Sequence, residues 1–102
     1  MTERKPLFVP LKTKYYEQFE AGVKVSEMRP YGPRWNERTC FVGRPVTLSK
    51  GYGKQNRISG VITRFRRTTP EHLGAAQNDW IAVYGEDRND VAEIFIRTEL
   101  SQ

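Results

Sequence analysis

Leu7-Phe8-Val9 is a short apolar run set between Pro6 and Pro10. It predicts a strand at a sheet edge, where a missing backbone donor is tolerated. Leu11, Tyr15, Tyr16, Phe19 and Val23 recur at helical spacing, so a helix is expected over 12–21. Thr13 is its expected cap, and Gly22 fits the left-handed position just past its end. Residues 23–29 read as extended, stopped by Pro30. Three prolines, two glycines and three arginines within 30–45 predict a long ordered loop, a kind of segment that often carries function. Residues 46–49 and 58–65 then read as two strands joined through Gly51-Tyr52-Gly53, a hairpin with a long basic tip. Thr69-Pro70-Glu71-His72 has the marks of a helix start: a cap, a proline at the first position and an acid in the first turn. Residues 79–84 suit helix or strand, with helix preferred, and a polar turn at 86–90 leads to a closing strand over 91–97. The expected fold class is α+β, one domain over 1–102. It is a small, curved, partly closed β-barrel of about five to six strands, with an early helix and one or two short late helices.

Composition narrows the functions open to such a domain. With 102 residues the core is modest, and no run approaches the ~18 apolar residues of a membrane span. The first residues lack a signal peptide's apolar stretch, and the lone Cys40 cannot form an internal disulfide or build a zinc cluster. A cytoplasmic location, no membrane partner, no metal, no cofactor and a monomeric state are therefore expected. The net charge of +5 is unevenly spread: residues 1–67 carry 15 Lys and Arg against 5 Asp and Glu, and residues 68–102 carry 2 against 7. Between Lys24 and Arg67 there are 11 basic residues and only Glu27 and Glu37. That asymmetry points to an anionic partner, nucleic acid before membrane, with a solvated basic face as the bland alternative.

Gly22-Val23-Lys24-Val25-Ser26-Glu27-Met28-Arg29 concentrates the chemistry. In an extended chain Glu27 and Arg29 share a face about 7 Å apart, with Lys24 at the entrance. Lys24 and Arg29 can hold an anion while Glu27 accepts hydrogen bonds or orients a cation. The competing reading is a neutralising ion-pair cluster, worth ~1 kcal/mol or less if exposed.

The pattern G-x-K-x-x-E-x-R after a first helix, here Gly22, Lys24, Glu27 and Arg29, resembles the signature of the ASCH (activating-signal-cointegrator homology) family, in its small stand-alone prokaryotic or phage form. Residues 7–11 and 15–21 are similar to that family's opening strand and helix, and Trp80 to Gly85 with Val91 to Ile96 to its last helix and strand. The resemblance implies a PUA-like barrel with a cleft between barrel and helix, lined by the motif, and RNA or a modified nucleoside as ligand. Some small bacterial members look like hydrolases that remove the acyl group from N4-acetylcytidine, and others have been proposed as ribonucleases. The hydrolases use a lysine, a threonine and a glutamate. Lys24 matches the lysine, Glu27 stands at the threonine position, and Glu71 and Asp79 are candidates for the glutamate. A carboxylate beside Lys24 favours its charged form, the opposite of what a lysine base needs. Ser26, Ser49 and Thr63 are the replacement hydroxyls to consider. If the chain is an enzyme, Lys24 and Glu27 are its catalytic candidates.

Two further groups suit single-stranded nucleic acid, where rings stack on bases and cations hold phosphates. Tyr31, Arg34, Trp35 and Arg38 lie in the long loop, and Lys50, Tyr52, Lys54 and Arg57 at the hairpin tip; Arg64, with Arg66 and Arg67, extends the basic strip. Core packing of Trp35 and Phe41 is the alternative for the loop, and an ordinary hairpin for the tip. The tip lacks the spacing of a nucleotide-binding P-loop. His72 is expected to be exposed, and Cys40 to pack as a small hydrophobe. The functional expectation is an RNA- or nucleotide-derived-ligand-binding domain. The alternatives are an amidohydrolase or ribonuclease centred on Lys24, or a module that binds an acidic protein.

Overall fold

In the computed structural model, residues 5–100 are described. Five strands, β1 (Leu7–Leu11), β2 (Ser26–Pro30), β3 (Pro45–Lys50), β4 (Arg57–Thr68) and β5 (Val91–Thr98), form one sheet in the order β1-β3-β4-β5-β2. Only the β1–β3 pair is parallel. The sheet curls into a half-barrel, so the small barrel-like α+β architecture expected from the sequence is present. Curling has a local cause in β4, where Thr63 is an extra residue between the pairs Ile62↔Ile96 and Arg64↔Phe95. Such a bulge bends a strand and increases its twist. At Gly60 the backbone of β5 comes so close that an added Cβ would lie 2.8 Å from the Arg97 carbonyl oxygen.

Helix α1 (Thr13–Glu20) buries Tyr16 and Phe19 against the concave face, where Val9, Leu48, Ile62 and Ile94 form the main core. Its cap position is Lys12, not Thr13, and no side chain caps it. Thr13 already has its place in the first turn, so its hydroxyl is one residue too late to accept from the N-terminal amides. Gly22 does adopt the left-handed conformation, with φ 79°. The Val23 and Lys24 amides both donate to the Gln18 carbonyl, which turns the chain sharply off the helix.

The loop between β2 and β3 is ordered by Asn36, whose amide donates to the Gly32 and Pro33 carbonyls and accepts from the Arg38 and Thr39 amides. It lays Trp35 and Cys40 into the main core, so Cys40 does pack as a small hydrophobe. The late helical region is a 3-10 turn at Pro70–His72, another at Gly74–Ala76, and α2 (Gln77–Tyr84). Thr69 holds the expected cap position of the first turn, its carbonyl accepting the His72 amide at 3.0 Å, while its hydroxyl pairs with His72 Nδ1 at 2.8 Å and not with a backbone amide. Helix α2 packs Trp80 with Leu73 and Val91 in a second, smaller core beneath Met28 and Tyr84. No helix among the described residues is long and apolar enough to cross a membrane.

Candidate functional site

β1 and β2 are the two edges of the half-barrel, and they face each other across its opening. Period-two alternation in β2 turns Glu27 and Arg29 to the concave side, opposite Ile94 and Ala92 of β5. There the Arg29 guanidinium donates from Nε (3.2 Å) and Nη2 (2.8 Å) to Glu27 Oε2. Nη2 also reaches the Pro10 carbonyl at 2.6 Å, so one side chain stitches the two sheet edges together. The turn after α1 brings Lys24 Nζ to 3.7 Å from Glu27 Oε1, over the rings of Tyr15 (5.3 Å) and Phe19 (5.7 Å). The side chains of Lys24, Glu27 and Arg29 are 14%, 9% and 16% exposed. The three charged residues of the motif thus form a spatial cluster.

A cavity of about 170 Å³ opens beside this cluster, between the end of β1, α1 and α2. Its walls include Leu11, Tyr15, Met28, Trp80, Val83 and Tyr84. Its charged lining is Lys12, Lys24 and Arg29 against Glu27 and Asp79, an excess of one positive charge. Burial, reinforced by Asp79 and Glu27, pushes the Tyr15 hydroxyl above its ordinary pKa of 10.0. Burial is also the main cause for Tyr84, with Arg29 opposing and Glu27 assisting. Both phenols therefore remain protonated at neutral pH.

Glu27 has little capacity left for a ligand. Its Oε2 is held by Arg29, and its Oε1 accepts the Met28 amide at 3.2 Å and faces Lys24. Lys24 is in the opposite state. Among the described residues no atom accepts a hydrogen bond from its ammonium, since the contact with Glu27 is longer than such a bond. The floor of the cavity is accordingly rich in donors. A partly exposed ammonium with donors to spare favours an anionic or carbonyl-bearing group.

The other expected contacts distribute unequally. Tyr52 borders a second, more open depression beside the first. Lys50 pairs with Glu17 at 3.8 Å, Arg57 lies over the Phe8 ring, and Lys54 is exposed. Trp35 is buried, with the guanidinium groups of Arg29 and Arg34 at 4.9 and 5.4 Å from its ring. Tyr31 is half-buried, donates to the Glu37 carboxylate and stacks on Arg67 at 3.8 Å. Neither ring faces the cavity. Arg38 is exposed, and Arg64 stacks on Phe95 on the sheet face opposite Glu27. Arg66 and Arg67 pair with Glu93 and Asp90. They therefore do not extend an unpaired basic rim from the hairpin tip.

Of the two candidate acids in the late region, Asp79 lines the cavity, while Glu71 is exposed and outside it. Ser26 bonds Glu93, Ser49 bonds the Gly53 carbonyl and Thr63 the Phe95 carbonyl, and none of the three lines the cavity. The walls Tyr15, Trp80 and Tyr84 escaped sequence reading because two helices separated by 56 residues bring them together. The i, i+4 pair of rings Trp80 and Tyr84, 4.4 Å apart, is the one signal that marked them. No protein-family model matches this chain, and no curated protein does either.

Proposed function

We propose that this chain is an ASCH-like domain that binds RNA or a nucleotide-derived ligand in the cavity beside Lys24, Glu27 and Arg29. The observation that carries this reading is the Lys24 ammonium on the cavity wall, ion-paired with Glu27 at 3.7 Å and with no hydrogen-bond acceptor among the described residues. Lys24 and Arg29 hold the acceptor edge of a base or an anionic group. The half-buried Tyr15 and Tyr84 supply flat apolar walls for a ring, with the buried Trp80 packed behind Tyr84. Glu27 acts as a positioning residue: it fixes both cations and keeps the local charge excess to one. About 170 Å³ is well below the roughly 300–1,000 Å³ of drug-sized ligand pockets, so the cavity suits a ring and not a whole nucleotide.

The enzymatic alternative, an amidohydrolase on an N4-acylated cytidine or a ribonuclease, gains one support. Asp79 lines the same cavity as Lys24 and can serve as a general base toward water. It lacks a serine or threonine nucleophile among the described lining residues, whose only hydroxyls are those of Tyr15 and Tyr84. An amide titration of the ¹⁵N-labelled protein, first with mixed short RNA and then with N4-acetylcytidine, tests both readings. Shifts at Lys24, Arg29 and Tyr84 are expected. Lys24→Met, which keeps the aliphatic stem over Tyr15 and Phe19, should weaken binding at least tenfold while leaving the spectrum folded. Unchanged affinity in that variant would remove the cavity from the account, and release of acetate would establish the hydrolase.

A further inference from the structure

The cavity does not end at Arg29. A second depression of about 290 Å³, shallower and more open, is bordered by Gly51 and Tyr52 and shares Pro10, Leu11, Lys12 and Arg29 with the first. The shared residues form a ridge with two cations on it, Lys12 and Arg29. Beyond the ridge stands the Tyr52 ring, 81% exposed. Its position is fixed from two sides. The Gly51 amide donates to the Leu11 carbonyl at 2.8 Å, tying the hairpin tip to the end of β1, and Phe8 backs the ring at a centroid distance of 6.1 Å. Gly51 makes that tie with φ 69°, a conformation other residues rarely adopt. Lys54 and Arg57 lie exposed on the same tip.

We propose that this depression is a second nucleotide subsite, so that the ligand is a single strand of at least two residues. One base enters the cavity, the linking phosphate crosses the ridge at Lys12 and Arg29, and the neighbouring base stacks on Tyr52. The inference rests on the reading of the cavity given above, and it adds the polymer to it. A ring-sized cavity leaves the rest of a nucleotide outside. The ridge offers that remainder cations where a phosphate would pass, and the Tyr52 ring offers the next base a sequence-tolerant platform.

The test compares each of the four ribonucleoside 3′-monophosphates with its homodinucleotide, by titration of the wild-type, Tyr52→Ala and Tyr52→Phe proteins. The best dinucleotide should bind at least tenfold more tightly than its monophosphate. Tyr52→Ala should cost the dinucleotide about five- to 150-fold, the range for loss of one stacked base. The monophosphate should change less than twofold, and Tyr52→Phe should keep most of the dinucleotide affinity. A monophosphate that binds at Lys24 and Arg29 as well as its dinucleotide does would overturn the second subsite and leave the first standing. Equal losses for both ligands in Tyr52→Ala would overturn it too. Absence of binding by every nucleotide would overturn both.

Discussion

Glu27 holds two cations with one carboxylate in a place that water reaches poorly. Removing its charge leaves Lys24 and Arg29 uncompensated, and breaking a buried ion pair from one side is costly. Glu27→Gln should therefore destabilise the fold by about 3 kcal/mol, read as a lower urea midpoint with an unchanged slope. A loss below about 0.5 kcal/mol would mean that the cluster behaves as a surface pair. Cys40 gives a second residue-level expectation. Burial, the largest cause, pushes its thiol above the ordinary value of 9.0, while Thr39 and the Asn36 backbone oppose. The unfolded thiol thus ionises first. Its contribution to stability is intact below pH 9 and is lost as pH rises through the folded value. Cys40→Val should flatten the alkaline fall in stability, as measured by denaturation between pH 7 and 10. Of these residues, the trio at 24, 27 and 29 was legible because strand alternation and a glycine-ended helix are local rules. Asp79 could only be offered beside Glu71, since the choice depends on where α2 packs.

Two glycines show how element geometry separates similar residues. At Gly60 a methyl group would meet the Arg97 carbonyl oxygen at 2.8 Å and Ile96 Cγ2 at 2.9 Å, so neighbouring strands must part. At Gly22 there is open space, and the obstacle is only the positive φ. Gly60→Ala should cost about 1–3 kcal/mol through overpacking in the middle of the sheet. Gly22→Ala should cost about 1 kcal/mol of backbone strain and disturb the placement of Lys24. Thermal denaturation of the two variants checks the order, and the reverse ranking would contradict the close approach of β4 and β5. The Gly22 turn was readable from its position after a helical pattern. Gly60 was not, because its constraint comes from a strand 38 residues further on.

Across the whole molecule, the acidic C-terminal third folds onto part of the basic strip. Asp90 and Glu93 pair with Arg67 and Arg66, and within the first two-thirds Glu17 and Glu27 engage Lys50, Lys24 and Arg29. The charge surplus visible in the sequence thus overstates what a polyanion meets. About three phosphate contacts, at the ridge and the hairpin tip, are a reasonable number for the proposed strand. With ~0.7 per phosphate for single strands, log affinity should fall against log salt with a slope near −2. A slope of −6 or steeper would indicate that the paired arginines open to the ligand. Charge asymmetry was plain from composition, but its neutralisation requires the β4–β5 register, which no local pattern specifies. The same holds for Trp35, whose loop reads equally as a stacking platform and as a cover for the core.

Both edges of the half-barrel come from the first thirty residues, whereas its three inner strands come from 45–98. β3, β4 and β5 form antiparallel neighbours in chain order, but β1 must find β3, and β2 must find β5 at the far end of the chain. Long loops close late, after shorter ones have formed. β2, whose partners on β5 lie more than 60 residues further on, should therefore dock last, after β1 has closed the shorter loop to β3. Pulsed hydrogen exchange during refolding should find the Leu48 and Ile62 amides protected before that of Arg29, which faces Ala92 of β5, and simultaneous protection would refute that order. What reads in space as a seam beside a cavity is, in time, the final step of the chain's assembly.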